Sequence, residues 1–457
     1  MRFALLALVF CGCVTAAERK PNVVLFLTDD QRADCLGVSG HPLLKTPAID
    51  RLAADGTRFR NAFVTTSICC ISRASYFTGR LCRTHGVGDF QTPLPAPVLA
   101  DSFPVLLRKA GYRTACYGKW GIGGPPPKDQ FDAWDAWGDQ GTYFLNLDGK
   151  RVHNSEYLTR RAIDFINSGP ADQPFCLIVL YKSPHDVQQP DPRDAGLFKD
   201  ATVVPPKTAT DDHFDRLPEF MRVSMNRSRA VRDWPTPTAY QEYVKNYLRC
   251  IASVDRSVGE IMQAIAACKV ADDTMTVFAS DNGYFLGERG LIHKWLMYEE
   301  SIRVPLIVHY PRLKKKGQTP EAMALNIDVA PTLLDYAGVA VPAGTDGRSL
   351  RPLLEARADG WRAHWFYEHH YHARGSKEGA IPRTEGVRTA DWKYITYIDE
   401  KQPFEELYDL KADPFEEKNR ATDPTSAGKF KEMKGLYEEY VKKLPPAVLP
   451  RPAKVKK

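Results

Sequence analysis

Beyond its first residues the 457-residue chain lacks any apolar run long enough to cross a bilayer, which excludes an internal membrane span. It has no Cys-x-x-Cys pair and no Cys/His spacing of the zinc-binding kind, so no zinc module organises it. It has little charge imbalance. Its 62 Lys and Arg against 56 Asp and Glu leave a formal +6, too little to mark a nucleic-acid binder and compatible with an anionic substrate. No internal repeat is present. With 26% charged and 43% hydrophobic residues, the composition is that of an ordinary soluble protein, long enough for one large domain and a smaller one.

The first residues read as an export leader. Arg2 supplies the positive start, Phe3 to Val14 an apolar segment too short to span a bilayer, and Thr15-Ala16-Ala17 the small residues for cleavage before Glu18. A secreted or periplasmic protein is expected. Cys13 after Gly12 raises a lipoprotein alternative, which Phe10 and Cys11 fit poorly. The expected organisation is a signal peptide over 1–17, a large domain over 18–355 and a C-terminal subdomain over 356–457.

Strand-like and helix-like runs alternate through the large part. Asn22 to Leu27 reads as a buried parallel strand, and Thr57 to Thr65, Tyr112 to Tyr117, Phe175 to Tyr181, Thr274 to Ala279 and Val304 to Tyr310 as further strands. Pro47 to Ala54, Phe103 to Ala110, Tyr240 to Ala267 (with a break near Cys250) and Ile327 to Tyr336 read as helices. Phe131 to Trp137 reads as a loop beside a pocket, and 188–237 as a long irregular excursion. This alternation predicts an α/β sandwich around a largely parallel sheet. Past Gly360, strands at Gly386 to Thr389 and Trp392 to Tyr397 and a helix at Ala427 to Lys443 predict a small antiparallel sheet with one helix. Cys116 and Cys176 fall in strand-like runs and read as packing residues.

Chemistry-bearing residues stand at strand ends, where open α/β sheets bind ligands. Asp29-Asp30 follow the first strand, and Asp281-Asn282-Gly283 follow the Thr274 strand. Either group alone is also what a turn or helix cap requires. Together they offer three carboxylates and one amide oxygen, a set that favours Ca²⁺ or Mg²⁺ over zinc. Between them lies Ser67-Ile68-Cys69-Cys70-Ile71-Ser72-Arg73, running on to Thr78-Gly79-Arg80. Ser67 suits an N-cap and Gly79 a helix end. A cysteine in the first helical turn meets the positive end of the macrodipole, which favours its thiolate and nearby anions, and Arg73 lies one turn on. By spacing alone, paired cysteines before a helix are more often buried small hydrophobes than nucleophiles.

Cys69-x-x-Ser72-Arg73 followed by Thr78-Gly79-Arg80 resembles the signature of the formylglycine-dependent sulfatases, members of the alkaline-phosphatase-like superfamily. The resemblance implies that a maturation enzyme oxidises Cys69 to formylglycine, whose hydrate supplies a hydroxyl that attacks sulfur. It implies Ca²⁺, with Mg²⁺ second, held by Asp29, Asp30, Asp281 and Asn282 beside residue 69. Arg73, Lys119 in Gly118-Lys119-Trp120 and Lys294 correspond to groups around the sulfate. His185 in Ser183-Pro184-His185 corresponds to a donor of the leaving oxygen's proton. His293 falls on a variable position and ranks below Lys294; Arg289 stands where His is common and reads as a substrate contact. Two departures are plain: Ile71 replaces the signature's proline, and Gly121 replaces a histidine common after the Lys119 motif. Matching segments run from about Pro21 to about Ala421.

The expected function is therefore a sulfatase acting on a sulfated saccharide. Two other readings remain open from sequence: a phosphate or phosphonate monoester hydrolase of the same superfamily, and a non-catalytic binder of sulfated glycans. His364, His369, His370 and His372, with Arg374, Lys377 and Arg383, read as a rim of substrate contacts.

Overall fold

The computed structural model describes residues 19–170, 172–373, 376–399 and 403–448. The expected leader over 1–17, Arg374 and the basic tail from 449 lie outside the described residues. Among the described residues no helix is long and apolar enough to cross a membrane.

Seven strands form the central sheet: β1 Asn22–Thr28, β2 Thr57–Arg58, β3 Arg113–Lys119, β4 Ala133–Trp137, β5 Phe175–Leu180, β6 Thr274–Ser280 and β7 Leu306–His309. Their spatial order is β2-β7-β6-β1-β5-β3-β4. β1 pairs in parallel with both β5 and β6, and β3 in parallel with β5 and β4. Only β7 runs antiparallel to its neighbours. The expected α/β sandwich with a largely parallel sheet is the fold observed.

The continuous apolar character of β1 has a direct cause. Val23, Leu25 and Leu27 pack on one face of the sheet, and Val24 and Phe26 on the other. Nine helices matter here: α1 Pro47–Asp55, α2 Cys69–Thr78, α3 Cys82–His85, α4 Phe103–Lys109, α5 Asn154–Asn167, α6 Met225–Asp233, α7 Pro237–Ala267, α8 Val329–Tyr336 and α9 Ala427–Lys443. α2, α4 and α8 cover the first face; α1, α5 and α7 cover the second. With both faces buried, strand side chains need no polar alternation. Cys116 and Cys176 are packing residues of the first face, and all eight cysteines of the described chain are unpaired.

Four C-terminal strands, β8 His364–His369, β9 Thr384–Thr389, β10 Trp392–Tyr397 and β11 Phe404–Asp409, form an antiparallel meander. Phe366, Val387, Tyr394 and Leu407 face α9. Trp365, Tyr367, Ile395 and Tyr397 share a core with Phe63, Phe285 and Tyr298 of the large part.

Several expectations change. The Phe131 to Trp137 segment contains β4, because Trp134 and Ala136 pack against the core while the strand pairs with β3. Thr57 to Thr65 is two short strands rather than one. α7 runs unbroken through Cys250, which is fully buried in it. The 188–237 excursion carries α6 and two shorter helices. Ser67 does not cap α2: the cap position is Ile68, and the Ser67 hydroxyl donates to the Ser301 carbonyl at 2.8 Å.

Candidate active site

Parallel pairing sets the site. β1 and β6 end level, with Thr28 beside Ser280, so Asp29-Asp30 and Asp281-Asn282 emerge together. The Asp30 amide donates to Asp281 Oδ1 at 3.2 Å, and Asn282 Nδ2 donates to Asp30 Oδ1 at 2.6 Å. Tyr247 from α7 donates to the Asp30 carbonyl at 2.6 Å and holds that residue at φ 68°. α2 places Cys69 at its first position, and Tyr76 on the same helix donates to the Ser280 carbonyl at 2.9 Å. The N-terminal end of α2 is thereby locked to the end of β6. Gly118 allows β3 to end against β5, since a Cβ there would lie 2.0 Å from the Leu180 carbonyl oxygen. Lys119 follows directly.

Cations and carboxylates interlock. Lys119 Nζ contacts Asp29 Oδ2, and Lys294 Nζ contacts Asp30 Oδ1. Arg73 Nε donates to Asp281 Oδ2 at 2.8 Å, and its Nη2 lies 3.4 Å from Asp29 Oδ2. Arg73 also donates to the Lys119 carbonyl. This fully buried guanidinium clamps carboxylates and strand ends together, a firmer role than the reach toward residue 69 expected from helical spacing. His185 Nε2 lies 3.8 Å from Asp30 Oδ2, and its Nδ1 lies 3.0 Å from Asp186 Oδ1.

Three oxygens in this cluster have no hydrogen-bond partner although they are buried: Asp29 Oδ1, Asp30 Oδ2 and Asn282 Oδ1. Buried oxygens left in this state are costly unless something else satisfies them. An all-oxygen donor set from two adjacent strand ends fits a hard divalent cation. Asp29, Asp30 and His185 also bring three ligand atoms within 4.8 Å of one another.

The electrostatics follow from burial and crowding. Burial opposes the Asp29 charge, yet Lys119, His185, Arg73 and Lys294 hold its carboxyl well below the usual range. Burial, with Asp29 and Asp281 nearby, pushes Asp30 up to about 7 against the pull of Lys294. Burial pushes the Cys69 thiol up, even though Lys119 and Lys294 pull it down. The thiolate expected from the helix dipole is therefore not the resting form: removing a 1% exposed sulfur from water outweighs the dipole. Burial and then Lys119 push the His185 imidazole below its ordinary value, opposed by Asp186.

The structure thus gathers Cys69, Arg73, Lys119, His185, Lys294, Asp29, Asp30, Asp281 and Asn282 in one connected cluster. Other expected contacts lie elsewhere. Arg289 is buried, pairs with Glu300 at 3.2 Å and donates to the Phe415 carbonyl, so it ties the C-terminal part to the large one instead of facing a substrate. His364, His369 and His370 belong to β8 and its end. His364 meets Tyr440, His370 meets Glu385 at 2.9 Å, and His369 is fully buried. His372 and Arg383 pair with Asp399, and Lys377 is exposed. Sequence reasoning gave no role to Asp186, which touches His185, or to Asp233, and ranked His293 low. Only the adjacency of Asp186 to His185 pointed to the first.

The sheet, with its buried acids at level strand ends, is that of a hydrolase of the alkaline-phosphatase-like superfamily. The chain belongs to the sulfatase family: residues 21–339 match the family model described as Sulfatase, and residues 287–443 match the one described as N-sulphoglucosamine sulphohydrolase, C-terminal. Members hydrolyse sulfate esters, and so does this protein. It is 31% identical to an N-acetylglucosamine-6-O-sulfatase of Bacteroides thetaiotaomicron, over 95% of this chain and 89% of that one. It is 29% identical to the N-acetylglucosamine-6-sulfatase of Homo sapiens, over 93% and 87%. A solved structure in complex with its substrate D-glucosamine-2-N,6-O-disulfate superposes with a TM-score of 0.81 at 30% identity, covering 93% of this chain and 98% of that one.

Proposed function

We propose that the protein removes sulfate esters from sulfated amino sugars, with the 6-O-sulfate of glucosamine units as the leading substrate. The observation that carries the chemistry is the set of three buried, unpaired oxygens, Asp29 Oδ1, Asp30 Oδ2 and Asn282 Oδ1, enclosed by Lys119, Lys294 and Cys69. The sugar rests on the names and substrate of the relatives.

Asp29, Asp30, Asp281 and Asn282 would hold Ca²⁺, and position 69 would carry formylglycine made by a separate maturation enzyme. When present, the cation draws charge from a sulfate oxygen and the aldehyde hydrate supplies the attacking hydroxyl. The remaining work belongs to side chains in view. Lys119 and Lys294 place two positive charges at the site of a bound sulfate, where little water screens them. Arg73 fixes Asp29 and Asp281 so that the cluster does not rearrange as charge builds. His185 is placed to hand a proton to the departing sugar oxygen; burial and then Lys119 hold its imidazole below the ordinary value, and Asp186 Oδ1, 3.0 Å from Nδ1, pulls the other way.

The test uses protein co-expressed with a formylglycine-generating enzyme. Mass measurement of the tryptic peptide 61–73, bounded by Arg60 and Arg73, reports conversion of Cys69. Sulfate release is then measured from N-acetylglucosamine 6-sulfate, an aryl sulfate and a phosphonate monoester. The expected result is converted peptide and preferred turnover of the sugar sulfate. Converted protein that hydrolyses only the phosphonate, or none of the three, refutes the proposal.

A further inference from the structure

The leaving sugar must lie on the open side of the cluster. Asp29, Asp30, Cys69 and Lys119 are buried to the last percent, whereas the His185 side chain is 14% exposed and Asp186 12%. His185 and Asp186 are thus the members of this group nearest the solvent. Three further groups meet there. Asp186, Asp233 at the end of α6 and His293 bring one ligand atom each within 4.8 Å of one another.

The geometry is built rather than incidental. His293 is 1% exposed, and its Nε2 is buried without a hydrogen-bond partner, 3.8 Å from Asp186 Oδ2. The ring is stacked on Trp295 at 5.3 Å with 10° between planes, and edge-on to Tyr284 at 5.4 Å. His293 and Trp295 both sit at positive φ, 71° and 86°. Left-handed backbone at two bulky residues is a strain that packed surroundings must enforce. Asp233 is held by Arg232, with 3.0 Å between Nη2 and Oδ2. Arg229 pairs with Glu378 at 2.8 Å and, with Lys294, keeps the Asp186 carboxyl ionised. Two oriented carboxylates and one unpaired imidazole nitrogen thus face one small volume beside the proton donor.

We propose that Asp186, Asp233 and His293 form the subsite that grips hydroxyl groups on the leaving sugar ring, and so set selectivity for saccharide over aryl sulfates. Vicinal hydroxyls are donors that carboxylates accept, and a hydroxyl on Asp186 is one residue from the His185 backbone and one contact from its ring. Recognition of the sugar then seats the imidazole for proton delivery.

This rests on the proposed function, and the experiment separates the two. Asp233→Asn keeps the shape and removes the charge. Its ratio of kcat/KM on glucosamine 6-sulfate to kcat/KM on 4-nitrophenyl sulfate is expected to fall about 10- to 100-fold, the range for losing a hydrogen bond to a charged partner. Glucosamine 6-sulfate binding to Cys69→Ser protein, with and without Asp233→Asn, is measured by calorimetry, so the subsite is read even where nothing turns over. Binding weakened about 10-fold or more by Asp233→Asn is expected. An unchanged ratio or unchanged binding overturns the proposal. So does a transition metal that survives dialysis and disappears in His293→Asn protein.

Discussion

At the scale of single residues, burial decides which polar groups carry charge. His85 on α3 is fully buried. Its Nδ1 accepts from the Val87 amide at 3.1 Å, and its Nε2 lies 3.2 Å from Ser75 Oγ of α2. Protonation would put a proton on Nδ1 against that amide. Burial, then Arg80 nearby, push its pKa down to about 3. An unfolded histidine titrates near 6.5, so between about 6.5 and about 3 the unfolded chain binds the extra proton. This contribution to stability is complete above 6.5 and is lost as pH falls toward 3, at up to about 1.4 kcal/mol per pH unit. His85→Gln should flatten the pH dependence of the unfolding free energy between pH 6 and 4 by that order, measured in urea. An unaltered slope would show that His85 is free to protonate in the folded protein. The active-site residues were legible in the sequence for a related reason: acids after an apolar strand, and a cysteine before a helix, are local patterns with local meaning. Asp233 and His293 were not legible, because their partners come from three separate segments and none carries a short-range signal.

At the scale of elements, α2 is the part whose placement matters most. Its start carries Cys69, and its end is fixed by Gly79 at φ 67°, with the Gly79 amide donating to the Ser75 carbonyl at 2.8 Å. A Cβ there would meet Thr345 Cγ2 at 2.8 Å and the Ile327 carbonyl oxygen at 3.1 Å. Gly79→Ala therefore adds left-handed strain to a steric conflict, and should destabilise by about 1–3 kcal/mol. Thermal unfolding measures the effect; full stability of the Gly79→Ala protein would show that α8 and its loop simply give way. The sequence announced this helix end through its glycine. It misread β4, whose tryptophans, following the Pro125-Pro126-Pro127 run, look like a loop until the pairing with β3 is known. It also saw a break in α7 where small and polar residues near Cys250 are in fact packed.

At the scale of the molecule, the sheet exists to bring two strand ends level, and the C-terminal part closes around them. Trp365 of β8 stacks on Phe63 at 5.3 Å, and Arg83 of α3 joins Glu368 and Glu385 at 2.7 and 2.6 Å. The two sheets are thus one packed body around a pocket of carboxylates. Such a body holds three carboxylates at its centre against Arg73, Lys119 and Lys294, with some of their oxygens left unpaired. Asp29, Asp30 and Asp281 crowd each other, and two of them present unpaired oxygens. A divalent cation that binds only the folded chain should then stabilise all of it by mass action, about 2.7 kcal/mol at 100 times its dissociation constant. Protein stripped with EDTA should unfold at a lower denaturant concentration and recover with Ca²⁺. Mg²⁺ should restore less, since it demands a tighter octahedral arrangement and sheds water reluctantly. Asn282→Ala removes one of the unpaired oxygens and should shrink the Ca²⁺-dependent shift without changing the steepness of the transition. Equal midpoints in EDTA and Ca²⁺ would mean that Lys119 and Lys294 alone neutralise the cluster, and that the unpaired oxygens serve some other group.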